Sequence, residues 1–249
     1  MPDLVLDSHT HCGLTLTFQE LSREWSRGGI DGGVVFAPVE EIYDRYDPLF
    51  FDSPEYARSR RAVHDYLLDI RDNARVFPYF FVWNDFARVP DGFVGIKWHR
   101  HSNEPMYAYD TPLCEEFLDH VFEKRLPIVL EEEFRNTLQF LKRINGRTVV
   151  IIPHMGGLNG GYHRLKEAGV FENPQVWVDT ALAGYWEIED FVRSYGTDRM
   201  MFGSDFPFGS PAEEKRKVEH LFDGEERERL LAGNLMRLVG GTPASGDDK

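Results

Sequence analysis

Cysteine is nearly absent. Cys12 and Cys114 are the two in a chain of 249 residues, and no CxxC or ribbon spacing occurs. That excludes a disulfide scaffold and makes a reducing cytosol the expected compartment. Basic side chains are also scarce: 28 Lys and Arg stand against 42 Asp and Glu, for a net charge of −14. Binding a polyanion needs clustered Lys and Arg to displace counterions, so no nucleic-acid partner is expected. No apolar run approaches the roughly 18 residues of a membrane helix. The opening MPDLVLDSHTH passes into a polar motif without a basic-then-apolar leader pattern. The expected setting is therefore cytoplasmic, away from membranes.

What remains is ordinary for a globular protein, with 42% hydrophobic and 28% charged residues. The length is close to the roughly 250 residues of one (β/α)8 barrel. Short β-branched and aromatic runs alternate with longer amphipathic segments. Strands are expected at 4–9, 33–38, 75–82, 93–99, 127–132, 148–154, 176–180 and 200–205. Several are almost continuously apolar, as strands buried on both faces must be. Helices are expected at 17–27, 54–73, 112–124, 136–144, 162–168, 187–195 and 213–221, with a last one at 225–239. Thr17 stands three residues before Glu20, the spacing of a capping box. Thr111-Pro112 pairs a cap residue with a first-turn proline. Such alternation implies right-handed parallel crossovers, hence a closed barrel or an open doubly wound sheet. No composition shift marks a linker. Residues 1–240 are expected to form one barrel domain, with the small polar stretch 241–249 as a frayed tail.

The chemistry sits at strand ends. The first strand closes on Asp7-Ser-His9-Thr-His11, where alternation puts His9 and His11 on one face, able to share a metal. Asp7 has the same parity and is placed to orient an imidazole. Alone, two histidines near a strand end are often just exposed polar residues. Here the sixth run ends in His154, the eighth in Asp205, the fourth in Lys97-Trp-His99 and the fifth in Glu131. In a closed barrel those ends surround one pocket; in an open sheet they would be strung along an edge. His64, His120, His163 and His220 fall on helical segments and are expected at the surface, and parity turns Trp98 outward into the core.

The motifs DSHTH, GIKWH, LPIVLE, IIPHMGG, VWVDTA, MMFGSDFPF and GNLMRL, in that order, span nearly the whole chain. Together they resemble the amidohydrolase superfamily, in particular the amidohydrolase-2 branch that includes aminocarboxymuconate semialdehyde decarboxylase. The resemblance implies a metal-dependent (β/α)8 barrel. In that family the HxH pair, a strand-five histidine and the strand-eight aspartate hold the metal, while the strand-six histidine joins them or acts on the substrate. Carried over, the metal set is His9, His11, Glu131, His154 and Asp205, around a divalent ion: zinc first, with manganese or iron as alternatives.

Glu131 is a departure, because the family usually has histidine there. A carboxylate can ligate Zn²⁺ or Mn²⁺, His99 can supply the missing imidazole, or the site has lost its metal. Asp205 is the expected proton-transfer residue and His154 the group that polarises a carbonyl. Lys97, His99, Arg100, His101 and Arg45 are placed to bind a substrate carboxylate. The implied reaction is hydrolysis of a C–N or C–O bond in a small molecule. A decarboxylase is the runner-up, a non-catalytic barrel the third reading, and a homodimer is compatible with all of them.

Overall fold

The computed structural model describes residues 4–73 and 75–240; the expected tail lies outside the described residues. Eight parallel strands run in the order β1 to β8, each hydrogen-bonded to the next in sequence. They are β1 Leu6–His11, β2 Gly32–Phe36, β3 Val76–Phe81, β4 Gly95–His99, β5 Ile128–Glu131, β6 Val150–Ile152, β7 Val176–Asp179 and β8 Met200–Met201. The edges meet. Ser8 N–H donates to Phe202 O (2.9 Å), Asp205 N–H to His9 O (2.8 Å) and His11 N–H to Phe206 O (2.9 Å). The sheet is thus a (β/α)8 barrel rather than an open doubly wound sheet, and among the described residues it leaves no open strand edge.

The ring outside comprises α1 Phe18–Gly28, α2 Pro54–Ile70, α3 Pro112–Glu123, α4 Phe134–Ile144, α5 Tyr162–Glu167, α6 Tyr185–Tyr195 and α7 Pro211–Leu221. α8 Gly224–Glu228, a π turn at Arg229–Gly233 and α9 Asn234–Gly240 complete it. The capping box at Thr17 is present, and Thr111 caps α3 by accepting from Cys114 N. Among the described residues no helix joins β3 to β4. Phe86, Val89 and Phe93 of that connection are buried in its place.

Two apolar layers result. One lies between strands and helices, where Trp98 packs against Phe117 and Phe140. The other fills the barrel with Leu6, Val34, Phe36, Tyr79, Val129, Ile151 and Met201, joined by Leu235 and Val239 of α9. The upper end of the barrel is occupied instead by titratable groups.

Three local departures from simple alternation shape that end. The β1–β2 register shifts between Asp7 and Thr10, a bulge that inserts one residue. Leu6 therefore packs inside the barrel and His9 and His11 face inward above it, but Asp7 does not share their parity. Its carboxylate turns to the β1–β8 seam. β6 and β8 are also shorter than expected, because His154 (φ 55°) and Asp205 (φ 55°) adopt left-handed backbone directly after them. Such conformations cost about 1–3 kcal/mol and persist where surrounding contacts over-determine them. Here His154 N–H is held by Asp179, and Asp205 O accepts from Phe208 N–H.

His64, expected at the surface, is buried in α2. Its ring stacks on Phe80 (centroids 4.2 Å apart) and meets the edge of Phe93. Nε2 has no partner, and burial, with the charge of Arg60, pushes its pKa down to about 3. The unfolded imidazole protonates near 6.5. Between those values the unfolded state binds the extra proton, so stability present above pH 6.5 is lost as pH falls. The loss reaches about 2 kcal/mol by pH 5. His64→Phe should shrink the fall in Tm between pH 7.5 and pH 5 by about 4–8 °C. A variant that loses as much as wild type would refute this account of His64.

Candidate active site

Every titratable group named from the sequence at a strand end arrives at the same end of the barrel, as closure requires. At the β1–β8 side, His9 Nε2 and His11 Nε2 each lie 3.4 Å from Asp205 Oδ1. The other nitrogen of each ring is engaged. His9 Nδ1 is 2.8 Å from Asp179 Oδ2, His11 Nδ1 is 3.1 Å from Ala37 O, and His154 Nδ1 is 3.1 Å from Ala181 O. A carbonyl can only accept, so the Nδ1 positions of His11 and His154 carry hydrogens, and Asp179 holds His9 in the same tautomer. His9 and His11 thus turn their Nε2 atoms toward one carboxylate oxygen. Asp179 also accepts from the backbone N–H of His154 and Ala181, so one side chain fixes parts of β1 and β6 together.

The charge states follow from these contacts. Burial, with the nearby Lys97, pushes His9 down to about 4, so it is neutral. Burial would raise Asp205, but its contact with His11 and the surrounding imidazoles outweigh it and hold the carboxyl near 2. Burial would lower His154, yet its contact with Glu131 and the charges of Asp179 and Asp205 raise it to about 9. His154 Nε2 stands 3.5 Å from Glu131 Oε2 and 4.0 Å from Asp205 Oδ2.

Across the barrel, Glu131 is surrounded by donors. Lys97 Nζ is 3.0 Å from Oε2, while His99 Nε2 (3.1 Å) and His101 Nε2 (2.6 Å) face Oε1. Burial opposes ionisation, but His99, Lys97, His101 and His154 together hold the carboxyl well below the usual range. Lys97 Nζ is also 3.3 Å from His9 Nε2 and 4.4 Å above the Phe36 ring, linking the two sides. Tyr43 OH donates to Glu104, and Glu104 pairs with Arg45.

One expected residue, Arg100, does not join this cluster. Arg100 is buried among Glu132 and the carbonyls of Ser102, Glu104 and Pro105, which take up its donors. Tyr107 donates to Val82 O and His99 O, and Tyr109 bonds Glu132 and stacks on Trp98. Two openings reach the site. A pocket of about 140 Å³ beside His11 is walled by Leu16, Pro38, Val39, Pro207 and Phe208. A wider cavity of about 1150 Å³ is lined by Arg45, His101, Phe134, Arg135 and Arg164. Asp179, which the structure adds to this cluster, is absent from the expected ligand set. Its signal was legible: VWVD is an apolar run ending in a carboxylate, as at Asp205.

Asp7 works at the seam. Its Oδ1 accepts from the N–H of Ser204 (2.9 Å) and His9 (3.2 Å), and Oδ2 accepts from Ser204 Oγ at 2.6 Å. Complete burial nevertheless pushes its carboxyl up to about 7. Ser204→Ala leaves a buried carboxyl short of a donor and should destabilise the protein by about 1–3 kcal/mol in urea unfolding. A variant as stable as wild type would show that Asp7 does not hold the seam.

The comparisons agree with this architecture. The family model described as Amidohydrolase matches residues 53–241, leaving β1 and its histidines outside the matched span. No curated protein matches the sequence. Among solved structures, 2,6-dihydroxybenzoate decarboxylase from Rhizobium is similar with a TM-score of 0.71 at 15% identity, over 96% of this chain and 98% of that one. A Pseudomonas putida protein assigned as a 2-pyrone-4,6-dicarboxylic acid hydrolase gives the same TM-score of 0.71, identity of 15% and coverage of 96% and 98%. Dihydroxybenzoic acid decarboxylase from Polaromonas sp. JS666, solved with manganese and 2-nitroresorcinol, has a TM-score of 0.66 at 15% identity, over 96% of each chain. At such identities the likeness is one of fold, but the matched span covers most of the sequence, and the chain belongs to the amidohydrolase family.

Proposed function

We propose that the barrel is a metal-dependent hydrolase that cleaves a C–N or C–O bond in a small, carboxylate-bearing molecule. The observation that carries this reading is the convergence of His9 Nε2, His11 Nε2 and Asp205 Oδ1, whose ligating atoms lie within 4.8 Å of one another. Two imidazoles with anchored Nδ1 atoms and one ionised carboxylate fit a divalent cation. His9, His11 and Asp205 would hold that ion, and it would supply a Lewis acid to the site. Zinc suits the two nitrogens; manganese suits the carboxylate and is the ion in the Polaromonas structure.

The protein's own groups do the rest. Asp205 is ionised, and its Oδ2, turned toward His154, takes a proton from the attacking water and returns it to the leaving group. His154 carries its hydrogens on both nitrogens, so it acts as the donor that steadies the oxygen on which charge develops. Glu131 keeps His154 in that state. Lys97, buried between His9 and Glu131, is the cation for a substrate carboxylate. The apolar pocket beside His11 receives the substrate's hydrocarbon body. Arg100 serves the wall of the site and not the substrate. Residues 1–240 act as one domain, in a reducing cytosol where the buried Cys12 and Cys114 stay free.

The similarity to two decarboxylases favours a second reading, in which the same pocket removes CO2 from an aromatic or unsaturated acid. A panel of lactones, amides and aromatic acids, followed for both hydrolysis and released CO2, separates the two. Hydrolysis without CO2 is expected; CO2 from an intact acid would replace the hydrolase with a carboxy-lyase. Chelation should abolish turnover and added zinc or manganese restore it. Asp205→Asn should lower kcat about 10²–10⁴-fold, and a smaller effect would remove Asp205 from proton transfer. Asp179→Asn, by freeing the His9 ring, should weaken metal affinity about 10–100-fold in equilibrium dialysis, with an unchanged circular dichroism spectrum. Unaltered affinity would assign Asp179 to structure alone.

A further inference from the structure

The arrangement at the end of β1 recurs on the opposite wall of the barrel. β1 ends in His9-Thr-His11, with its carboxylate, Asp205, following the neighbouring strand β8. β4 ends in His99, with His101 two residues on, and its carboxylate, Glu131, ends the neighbouring strand β5. In a ring of eight strands the β8–β1 pair and the β4–β5 pair face each other. Each presents two imidazoles and one carboxylate to the same interior, and in each the ligating atoms lie within 4.8 Å of one another.

We propose that His99, His101 and Glu131 form a second divalent-cation site, distinct from the one at His9, His11 and Asp205. Glu131 divides its oxygens: Oε2 faces Lys97 and His154, leaving Oε1 to His99 Nε2 at 3.1 Å and His101 Nε2 at 2.6 Å. The two rings have support behind them. His99 Nδ1 lies 3.3 Å from Tyr43 OH and 3.6 Å from Glu104 Oε2. His101 Nδ1 lies 3.6 Å from Glu104 Oε1. Two imidazoles and a carboxylate on one face, with remaining positions open, is a recurrent set for divalent transition metals. His101 also lines the wide cavity, so the site opens to solvent, whereas His9 is fully buried.

The second site binds more weakly than the first, for a reason visible at His101. Arg45 Nη2 lies 3.2 Å from His101 Nδ1, and a guanidinium can only donate. The hydrogen of that ring is therefore on Nε2, directed at Glu131. To ligate, it must move to Nδ1, where Glu104 Oε1 is the acceptor, and Arg45 must retreat onto its existing 2.5 Å pair with Glu104. At the first site the rings of His9 and His11 already have the ligating tautomer. The first cation therefore loads tightly and the second loads later.

The proposal goes beyond the hydrolase reading and is tested without turnover. Protein stripped with chelator is titrated with Mn²⁺, counting bound metal by equilibrium dialysis and following the electron paramagnetic resonance spectrum. Two equivalents are expected, the second at least tenfold weaker. His101→Ala and the gentler His101→Gln should each lose the weaker equivalent and keep the tight one, with thermal melts verifying the fold. Asp205→Ala should do the reverse. One equivalent in wild type, lost with Asp205 but indifferent to His101, would overturn the second site while leaving the proposed function intact. No bound manganese at all would overturn both.

Discussion

Removing an ionised group from water costs several kcal/mol unless the protein replaces the hydration it loses. This barrel meets that demand repeatedly at one end. Asp179, Glu131 and Lys97 are almost fully buried, and Asp205 is nearly so. None stands alone. Asp179 has His9 and two backbone donors, and Glu131 has Lys97 and three histidines. Every other feature of the site follows from this mutual satisfaction. Imidazole tautomers are fixed, ring planes are locked, and carboxylates stay ionised in surroundings that would otherwise neutralise them. The apolar layers beneath, from Leu6 to Met201, can be ordinary because the polar accounting closes above them.

The left-handed residues belong to the same logic. His154 and Asp205 leave their strands in a conformation few side chains tolerate; the Asp179 carboxylate of β7 accepts from His154 N–H, and His9 O of β1 accepts from Asp205 N–H. The strain is the price of aiming them inward, and Asp179 and the β1–β8 seam supply what holds it.

Much of the fold was legible because parallel strands buried on both faces leave an unmistakable apolar signature, and eight of them in 249 residues fit a closed barrel. The strand-end titratable residues were legible for a related reason: an apolar run that stops on His, Asp or Lys has no bland explanation once closure brings the ends together. Asp7 was misjudged because the β1 bulge changes side-chain parity without changing composition. Arg100 illustrates the opposite limit. Its sequence neighbours are site residues, but a guanidinium's direction depends on where Glu132 and nearby carbonyls lie, which strand periodicity does not encode. His64 was misplaced because a single histidine on a helix says nothing of its face until Phe80 and Phe93 of the helix-free β3–β4 wall are set against it.

The seam between the first and last strands has a consequence for how the molecule comes into being. Asp7 and Ser204 are 197 residues apart in the chain, yet their hydrogen bonds close the barrel within a few ångströms of His9 and Asp205. Contacts of such sequence separation form late, after the intervening loop entropy has been overcome. During synthesis the histidines of β1 leave the ribosome long before the carboxylate of Asp205 arrives. The site therefore exists only in the finished barrel, and its appearance marks the completion of folding.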